Sequence, residues 1–219
     1  MSSVNTSILE TFFRTHTALQ YKKGDIIIRA GDTPSGALYL RSGFIRMNYT
    51  TDSGDMLVLH VFTPGSILPM PWIINDTPNR YYFEALTTVD VWRAPREHVL
   101  EFFHDHPDVE HALLSRMMHG FSGLMRRMEF LVFDSAYKKT VLLLLHYVKH
   151  FSDVKKKGTL QLLLTHREIA AWIGTTRETA SLQIEILKKK KLIAYDRRTI
   201  TVPNVALLEG EIDSAVDLS

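Results

Sequence analysis

Residues 165–203 constrain this chain more than any other stretch. Thr165 and Glu168 stand three apart, the spacing at which a hydroxyl and a carboxylate cap each other's backbone amides, and Ile169 and Ile173 then recur at helical period. Gly174 stops that helix. A second one restarts at once: Thr175 precedes Glu178 at the same capping spacing, and Ala180, Ile184 and Leu187 form one apolar stripe. Two short helices joined by a tight glycine turn read as a helix-turn-helix. The face of the second helix away from its stripe offers Arg177, Glu178, Ser181, Leu182 and Glu185, the first two near the N-terminus, where such a helix reads base edges. Four lysines follow at residues 188–191. Two β-prone runs, Leu192-Ile193 and residues 199–202, then flank polar Asp196, Arg197 and Arg198, the pattern of a hairpin wing. A helix-glycine-helix corner alone is only moderately specific, but caps, basic run and wing in this order predict a winged helix-turn-helix. Its expected DNA contacts are Thr176, Arg177, Glu178, Ser181, Leu182, Lys188 and Arg197.

The charge distribution agrees. Residues 136–208 hold 14 Lys+Arg against 5 Asp+Glu, a net +9, whereas residues 1–135 hold 12 against 15, a net −3, and residues 209–219 hold none against 4. A polyanion partner, double-stranded DNA, therefore belongs to the C-terminal half. The three lysines at 155–157 beside Gly158 read equally as a solvated face or as phosphate contacts. The 219 residues suit two compact domains, and the apolar runs are far too short to span a bilayer, so a cytoplasmic protein without membrane contact is expected. With no cysteine, disulfides, thiolate zinc sites and Cys-ligated clusters are excluded.

Read from the start, residues 1–18 form an amphipathic lead-in helix carrying Ile8, Leu9, Phe12 and Phe13. Short β-prone segments punctuated by glycines follow, at residues 26–28, 38–40, 44–47, 57–62 and 87–92, which predicts a sandwich or small barrel. Gly54 suits a hairpin turn between two of them. Residues 108–134 read as one long helix after Pro107, with Leu114, Met117, Phe121, Leu124, Met128 and Leu131 alternating spacings of three and four, a heptad seam suited to a homodimer. A second stripe of Leu113, Met118, Met125 and Val132 is expected against the protein's own barrel. Gly120 and Gly123, each costing roughly 1 kcal/mol relative to Ala in a helix, imply close approach of another helix or of a ligand. Asp134 or Ser135 caps the next helix, residues 136–151, and a polar loop at 152–159 and a strand at 160–164 lead into the helix-turn-helix.

Gly24-Asp25, Gly31-Asp32, the run Leu38-Tyr39-Leu40-Arg41-Ser42-Gly43, and Pro64-Gly65, followed by Arg177-Glu178-Thr179 in a helix-turn-helix, resemble the Crp/Fnr family of bacterial transcription regulators over almost the whole chain. The resemblance implies an α+β architecture: a cyclic-nucleotide-binding-like β-barrel of jelly-roll type (residues 1–107), a long dimerisation helix (108–134), a winged helix-turn-helix (135–208) and an acidic tail (209–219). It implies a homodimer, and RNA polymerase as a partner. The family commonly carries Arg where Leu182 stands, so the DNA half-site is expected to differ. Its cyclic-nucleotide sensors use a Gly-Glu-Leu turn, an Arg-Ser or Arg-Thr pair and hydroxyls on the long helix. Here the turn reads Gly65-Ser66-Ile67-Leu68, Arg80 is the one candidate anion ligand, and the helix positions are about Gly123 and Leu124. Control by cAMP is therefore not expected, and Pro69, Pro71, Trp72, Pro78, Tyr81 and Tyr82 leave an apolar ligand, an acid held by Arg80, or a filled pocket open.

No catalytic constellation stands out. His104, Asp105, His106, Glu110 and His111 cluster in sequence, but a solvated helix start with acidic residues near its N-terminus accounts for them. His60 lacks companion histidines. No phosphate-binding glycine loop and no nucleophile elbow occurs. Neither a metal nor another cofactor is expected, and the effector is unassigned. The alternative from another class is a ligand-binding barrel enzyme or storage protein whose C-terminal domain makes protein contacts, a reading the charge split disfavours.

Overall fold

The computed structural model describes residues 3–52, 54–151, 160–196 and 199–212. The chain divides into two compact units, residues 1–124 and 125–219, and the division falls inside one long helix. The first unit opens with α1 (Ser3–Arg14) and continues through β1 (Thr17–Tyr21), β2 (Ile26–Ile28), β3 (Ala37–Ser42), β4 (Ile45–Thr50), β5 (Met56–Phe62), β6 (Ile67–Leu68), α2 (Met70–Asn75), β7 (Tyr82–Ala85), β8 (Val89–Ala94) and α3 (Arg96–Asp105) to α4 (Pro107–Phe133). The second holds α5 (Ala136–Phe151), β9 (Leu160–Leu163), α6 (His166–Ile173), α7 (Arg177–Lys189), β10 (Ala194–Asp196), β11 (Thr199–Val202) and α8 (Val205–Glu209).

The strands form two open four-stranded sheets, β1-β8-β3-β6 and β2-β7-β4-β5, rather than a closed barrel. Alternation along β3 and β8 sends their apolar residues to both faces of the sheet. Leu38, Leu40, Val89 and Val91 face the second sheet, in one core with Ile45, Phe83 and Ala85. Ala37, Tyr39, Trp92 and Ala94 face the opposite way, in a second core with Leu9 and Phe13 of α1, Phe102 and Phe103 of α3, and Val109 and Leu113 of α4. Phe13 stacks on Tyr39 at 5.2 Å and Phe12 on Phe102 at 4.3 Å, contacts of the kind that favour offset aromatic pairs. The predicted hairpin is present: β4 pairs with β5 antiparallel, with Thr50 opposite Met56 and Gly54 at φ 86°.

Several elements depart from the sequence reading. β1, β6, β7, α2, α3 and α8 were not anticipated. The second α4 stripe is a correction: Leu113 packs in the core, but Met118, Met125 and Val132 are exposed. The wing strand starts at Ala194, not at Leu192-Ile193, because those two side chains are buried in the C-terminal core. Glu209 ends α8, and Glu211 is engaged rather than trailing: its Oε2 accepts from Tyr137 Oη at 2.7 Å and from Lys190 Nζ at 2.6 Å. The polar loop at 152–159 and the end of the tail lie outside the described residues.

Gly43 joins β3 to β4 at φ 84°, where a Cβ would collide with the Thr88 carbonyl oxygen. Gly43→Ala is therefore expected to destabilise the first unit by about 2 kcal/mol or more, combining left-handed strain with a backbone clash. Chemical denaturation followed by Trp fluorescence checks this, and an unchanged midpoint would contradict it.

Candidate nucleic-acid interface and ligand cavity

In the second unit, Thr165 adopts extended φ/ψ (−86°, 157°), its Oγ1 accepts from Glu168 N at 3.2 Å, and the Glu168 carboxylate accepts from Thr165 N at 2.8 Å, completing the capping box. Gly174 closes α6 in the left-handed region, φ 63°, its N–H bonding to Ala170 O, as a helix C-terminus favours. The cap of α7 is a correction. Thr176, not Thr175, is the N-cap, with extended φ/ψ (−77°, 157°) and Oγ1 accepting from Thr179 N at 3.2 Å, while Thr175 N still reaches back to Ala170 O within the turn.

Ala180, Ile184 and Leu187 of α7 are fully buried, so the opposite face is presented outward. Arg177, Glu178 and Leu182 are exposed on it, Leu182 at 58%, and Ser181 is half-buried. Thr176 is exposed, but its hydroxyl is occupied by the cap. Lys188 forms an ion pair with Glu185 at 2.8 Å, and Arg197 lies outside the described residues. The three-stranded sheet β10-β11-β9 stands beside these helices as the wing. α7 ends on a residue no sequence rule favours: Lys191 takes φ 60°, its N–H bonding Lys188 O while Leu192 N bonds Leu187 O. This is the Schellman pattern with lysine in the place glycine usually takes.

Other residues of this unit were missed. Arg127 donates from Nη2 to Trp172 O at 3.0 Å and lies over the Trp172 ring at 5.1 Å, and burial lowers its pKa. Ser135 Oγ accepts from Lys138 N at 3.2 Å, capping α5 as one of the two expected candidates. Lys190, part of the basic run, is matched to Glu211 and Tyr137, hydrogen bonds that raise its own pKa and lower that of Glu211.

Along α4, Leu114, Met117, Phe121, Leu124 and Met128 are exposed and Leu131 is half-buried. Apart from the chain neighbours and the helix's own backbone, no described protein atom lies within 4 Å of a Cβ built at Gly120 or Gly123.

In the first unit a cavity of about 760 Å³ opens between sheet β2-β7-β4-β5 and the start of α4. Arg80 lines it, as do Pro69, Pro71, Trp72, Pro78 and Tyr81; Tyr82 does not, since successive residues of a strand point to opposite faces. The cavity meets α4 at Leu113, Arg116, Met117, His119 and Gly120, one to two turns before the expected Gly123 and Leu124. Arg116 is therefore a cavity residue that the sequence did not single out. Its Nη1 donates to Gly65 O at 2.9 Å. Asn79 is buried and fully committed, donating to Arg29 O and Tyr81 O at 2.7 and 2.8 Å and accepting from Tyr81 N at 3.1 Å, which fixes the loop that presents Arg80. Among the described residues, no group of three or more potential metal ligands is assembled, and no helix is long and apolar enough to cross a membrane.

A cyclic nucleotide-binding domain model matches residues 18–106, and a Crp-like helix-turn-helix domain model matches residues 140–211. The chain belongs to the Crp/Fnr family. The global nitrogen regulator of Synechococcus elongatus is 25% identical over 199 residues, 88% of each chain. A cyclic AMP receptor protein of Thermus thermophilus is 24% identical over 189 residues, 86% of this chain and 85% of that one. Among solved structures, the c-di-GMP responsive global regulator CLP of Xanthomonas campestris matches with a TM-score of 0.79 at 20% identity, covering 90% of this chain and 99% of that one, a likeness of fold. Crp/Fnr proteins are DNA-binding transcription regulators that act as dimers, which gives the outward face of α7 and the exposed seam of α4 their context.

His166, at the first turn of α6, stacks on Tyr195 at 4.7 Å, and its Nε2 is buried without a hydrogen-bond partner. Burial first, and then Arg177, lower its pKa. A base whose folded pKa is depressed contributes stability that is complete above its unfolded pKa of about 6.5 and is lost as pH falls through the folded value. Thermal melting of the second unit, followed through Trp172, is thus expected to weaken on acidification below about pH 6.5, with a shallower slope in His166→Phe. Identical slopes for the two proteins would contradict it.

Proposed function

We propose that this protein is a homodimeric, sequence-specific transcription regulator that binds pseudo-palindromic DNA through α7 and is not controlled by cAMP. The observation that carries the reading is the outward N-terminal face of α7, where Arg177 and Glu178 stand exposed directly after the Thr176 cap while the opposite stripe is fully buried. A guanidinium there suits bidentate contact with guanine O6 and N7, the Glu178 carboxylate suits cytosine N4, and Leu182 offers apolar contact to a thymine methyl. The α4 seam supports the dimer, since Leu114 through Met128 leave apolar side chains uncovered and Gly123 leaves room for a second helix. Two-fold symmetry then calls for half-site centres roughly 34 Å apart. A DNA-binding regulator of this kind is read as cytoplasmic, with RNA polymerase as the partner through which it acts. The function assigned is regulatory, not enzymatic.

The cavity supports independence from cAMP. Ser66 stands where the family's nucleotide sensors place an acidic acceptor for the ribose hydroxyl, and the cavity wall on α4 carries no hydroxyl side chain. Each unmet buried polar group costs about 1–3 kcal/mol, so several raise the dissociation constant by orders of magnitude.

Selection from random DNA is expected to recover a two-fold motif with guanine opposite Arg177. Arg177→Ala should relax that position by about 1–3 kcal/mol of discrimination; an unchanged motif would overturn the assignment. For the nucleotide, calorimetry with millimolar cAMP is expected to show no saturable heat, and specific DNA affinity should not respond to it. Micromolar binding, or DNA affinity rising with cAMP, would contradict this.

A further inference from the structure

Folding brings together the imidazoles of His16 and His98, which stand 82 positions apart in the chain. His16 follows α1 and is half-buried, while His98 lies in the first turn of α3 and is exposed. The His16 ring is held on two sides. It packs on the Phe12 ring at 4.8 Å, and its Nδ1 lies 3.1 Å from both the Phe12 carbonyl oxygen and Thr15 Oγ1. Thr15 commits its single hydroxyl proton to that same carbonyl at 2.8 Å, so both neighbours of Nδ1 are acceptors and Nδ1 carries the ring proton. The Nε2 of the neutral ring is then a bare lone pair, and it meets His98 Nδ1 at 3.3 Å. That is long for a hydrogen bond from an N–H donor, about 2.7–3.2 Å. It matches the edge of a zinc tetrahedron: two nitrogens each about 2.0–2.1 Å from the ion, at the tetrahedral angle, stand about 3.3–3.4 Å apart. The right-angled ligand pairs of Cu(II) or Ni(II) would bring them, at similar bond lengths, to about 2.8–3.0 Å.

We infer that His16 Nε2 and His98 Nδ1 form a surface site for a zinc ion. Ligating histidines in zinc sites commonly donate their other ring nitrogen to a backbone carbonyl, and His16 makes that bond to Phe12 O already. His98 ligates as the tautomer with its proton on Nε2, and its exposed ring can turn to place both lone pairs on the ion. Among the described residues no third potential ligand joins the pair, so water fills the remaining positions of the tetrahedron. Exposed Glu97 and Glu101 flank His98 on α3, and their charge offsets the positive end of the helix dipole that the ion would otherwise meet. A bound ion ties the end of α1 to α3, beside the stack of Phe12 on Phe102. The site goes beyond the regulator reading and does not depend on it, since neither histidine belongs to α7, to the α4 seam or to the cavity.

The test is calorimetry on the full-length protein with zinc chloride in a non-chelating buffer, above about pH 7 so that the imidazoles are neutral. One ion per chain should bind with a micromolar dissociation constant, and magnesium, which prefers oxygen ligands, should give no saturable heat. At a zinc concentration a hundredfold above that constant the melting midpoint should rise by about 5 °C. His16→Gln and His98→Gln should each weaken zinc about tenfold or more and abolish the rise in midpoint, with unchanged circular dichroism; His104→Gln and His111→Gln, at other exposed histidines of the unit, should change neither. Nitrogen NMR of the imidazole rings should move His16 Nε2 and His98 Nδ1 on titration, a signature that loss of packing in a variant cannot imitate. The inference is overturned if zinc does not saturate below millimolar concentration, if the His16→Gln, His98→Gln double variant binds it like the unmodified protein, or if zinc leaves these two ring nitrogens unmoved. Because His98 is exposed, His98→Gln alone decides the matter should His16→Gln fail to fold.

Discussion

The uncovered apolar surface of α4 is the constraint on which the rest depends. Of its 27 residues only Val109 and Leu113 are buried, while Leu114, Phe121 and Met128 remain 52, 54 and 51% exposed. Apolar area left in water forgoes about 25 cal/mol per Å² of stabilisation, and a contiguous stripe of this kind marks an association surface. The two units grip the helix by the same chemistry at different points. In the first unit Arg116 donates to Gly65 O, and in the second Arg127 donates to Trp172 O and covers the indole ring. In each case the guanidinium satisfies a backbone carbonyl.

The two units divide the chemistry as they divide the charge. In the second, Arg177 and Glu178 are exposed at the N-terminus of α7, while Lys188 and Lys190 of the basic run are held in ion pairs with Glu185 and Glu211. In the first, Arg80 and Arg116 line a cavity with apolar residues such as Ile67 and Phe83 and with the polar side chains of His60, Thr63, Ser66, Thr77, Asn79 and His119.

Features with strong local chemistry were legible in the sequence. The Thr165–Glu168 box, the Gly174 stop, the α7 stripe and the start of α4 at Pro107 each follow from short-range rules, and each is present. The cap of α7 was placed at Thr175 because it stands three residues before Glu178, whereas the turn geometry after Gly174 gives that role to its neighbour Thr176. Lys191 in a left-handed conformation carries no sequence signal because glycine is absent there. β6, of two residues, is too short for a periodic pattern, and α3 was hidden by a histidine-rich stretch whose buried Val99, Phe102 and Phe103 are revealed only by the core they fill. Arg116 escaped because the family pattern pointed to positions 123 and 124, whereas the cavity meets α4 earlier. Arg197 and the lysines at 155–157 lie outside the described residues.

The account stands on one claim, that two copies of α7 read one duplex across a two-fold axis. Inserting five base pairs, about half a helical turn, between the half-sites of the selected DNA turns them to opposite faces of the duplex. The account predicts that affinity, measured by fluorescence anisotropy, falls towards the non-specific level, on the order of a thousandfold or more. Unchanged affinity after the insertion would mean that each chain reads its site alone, and would contradict the claim.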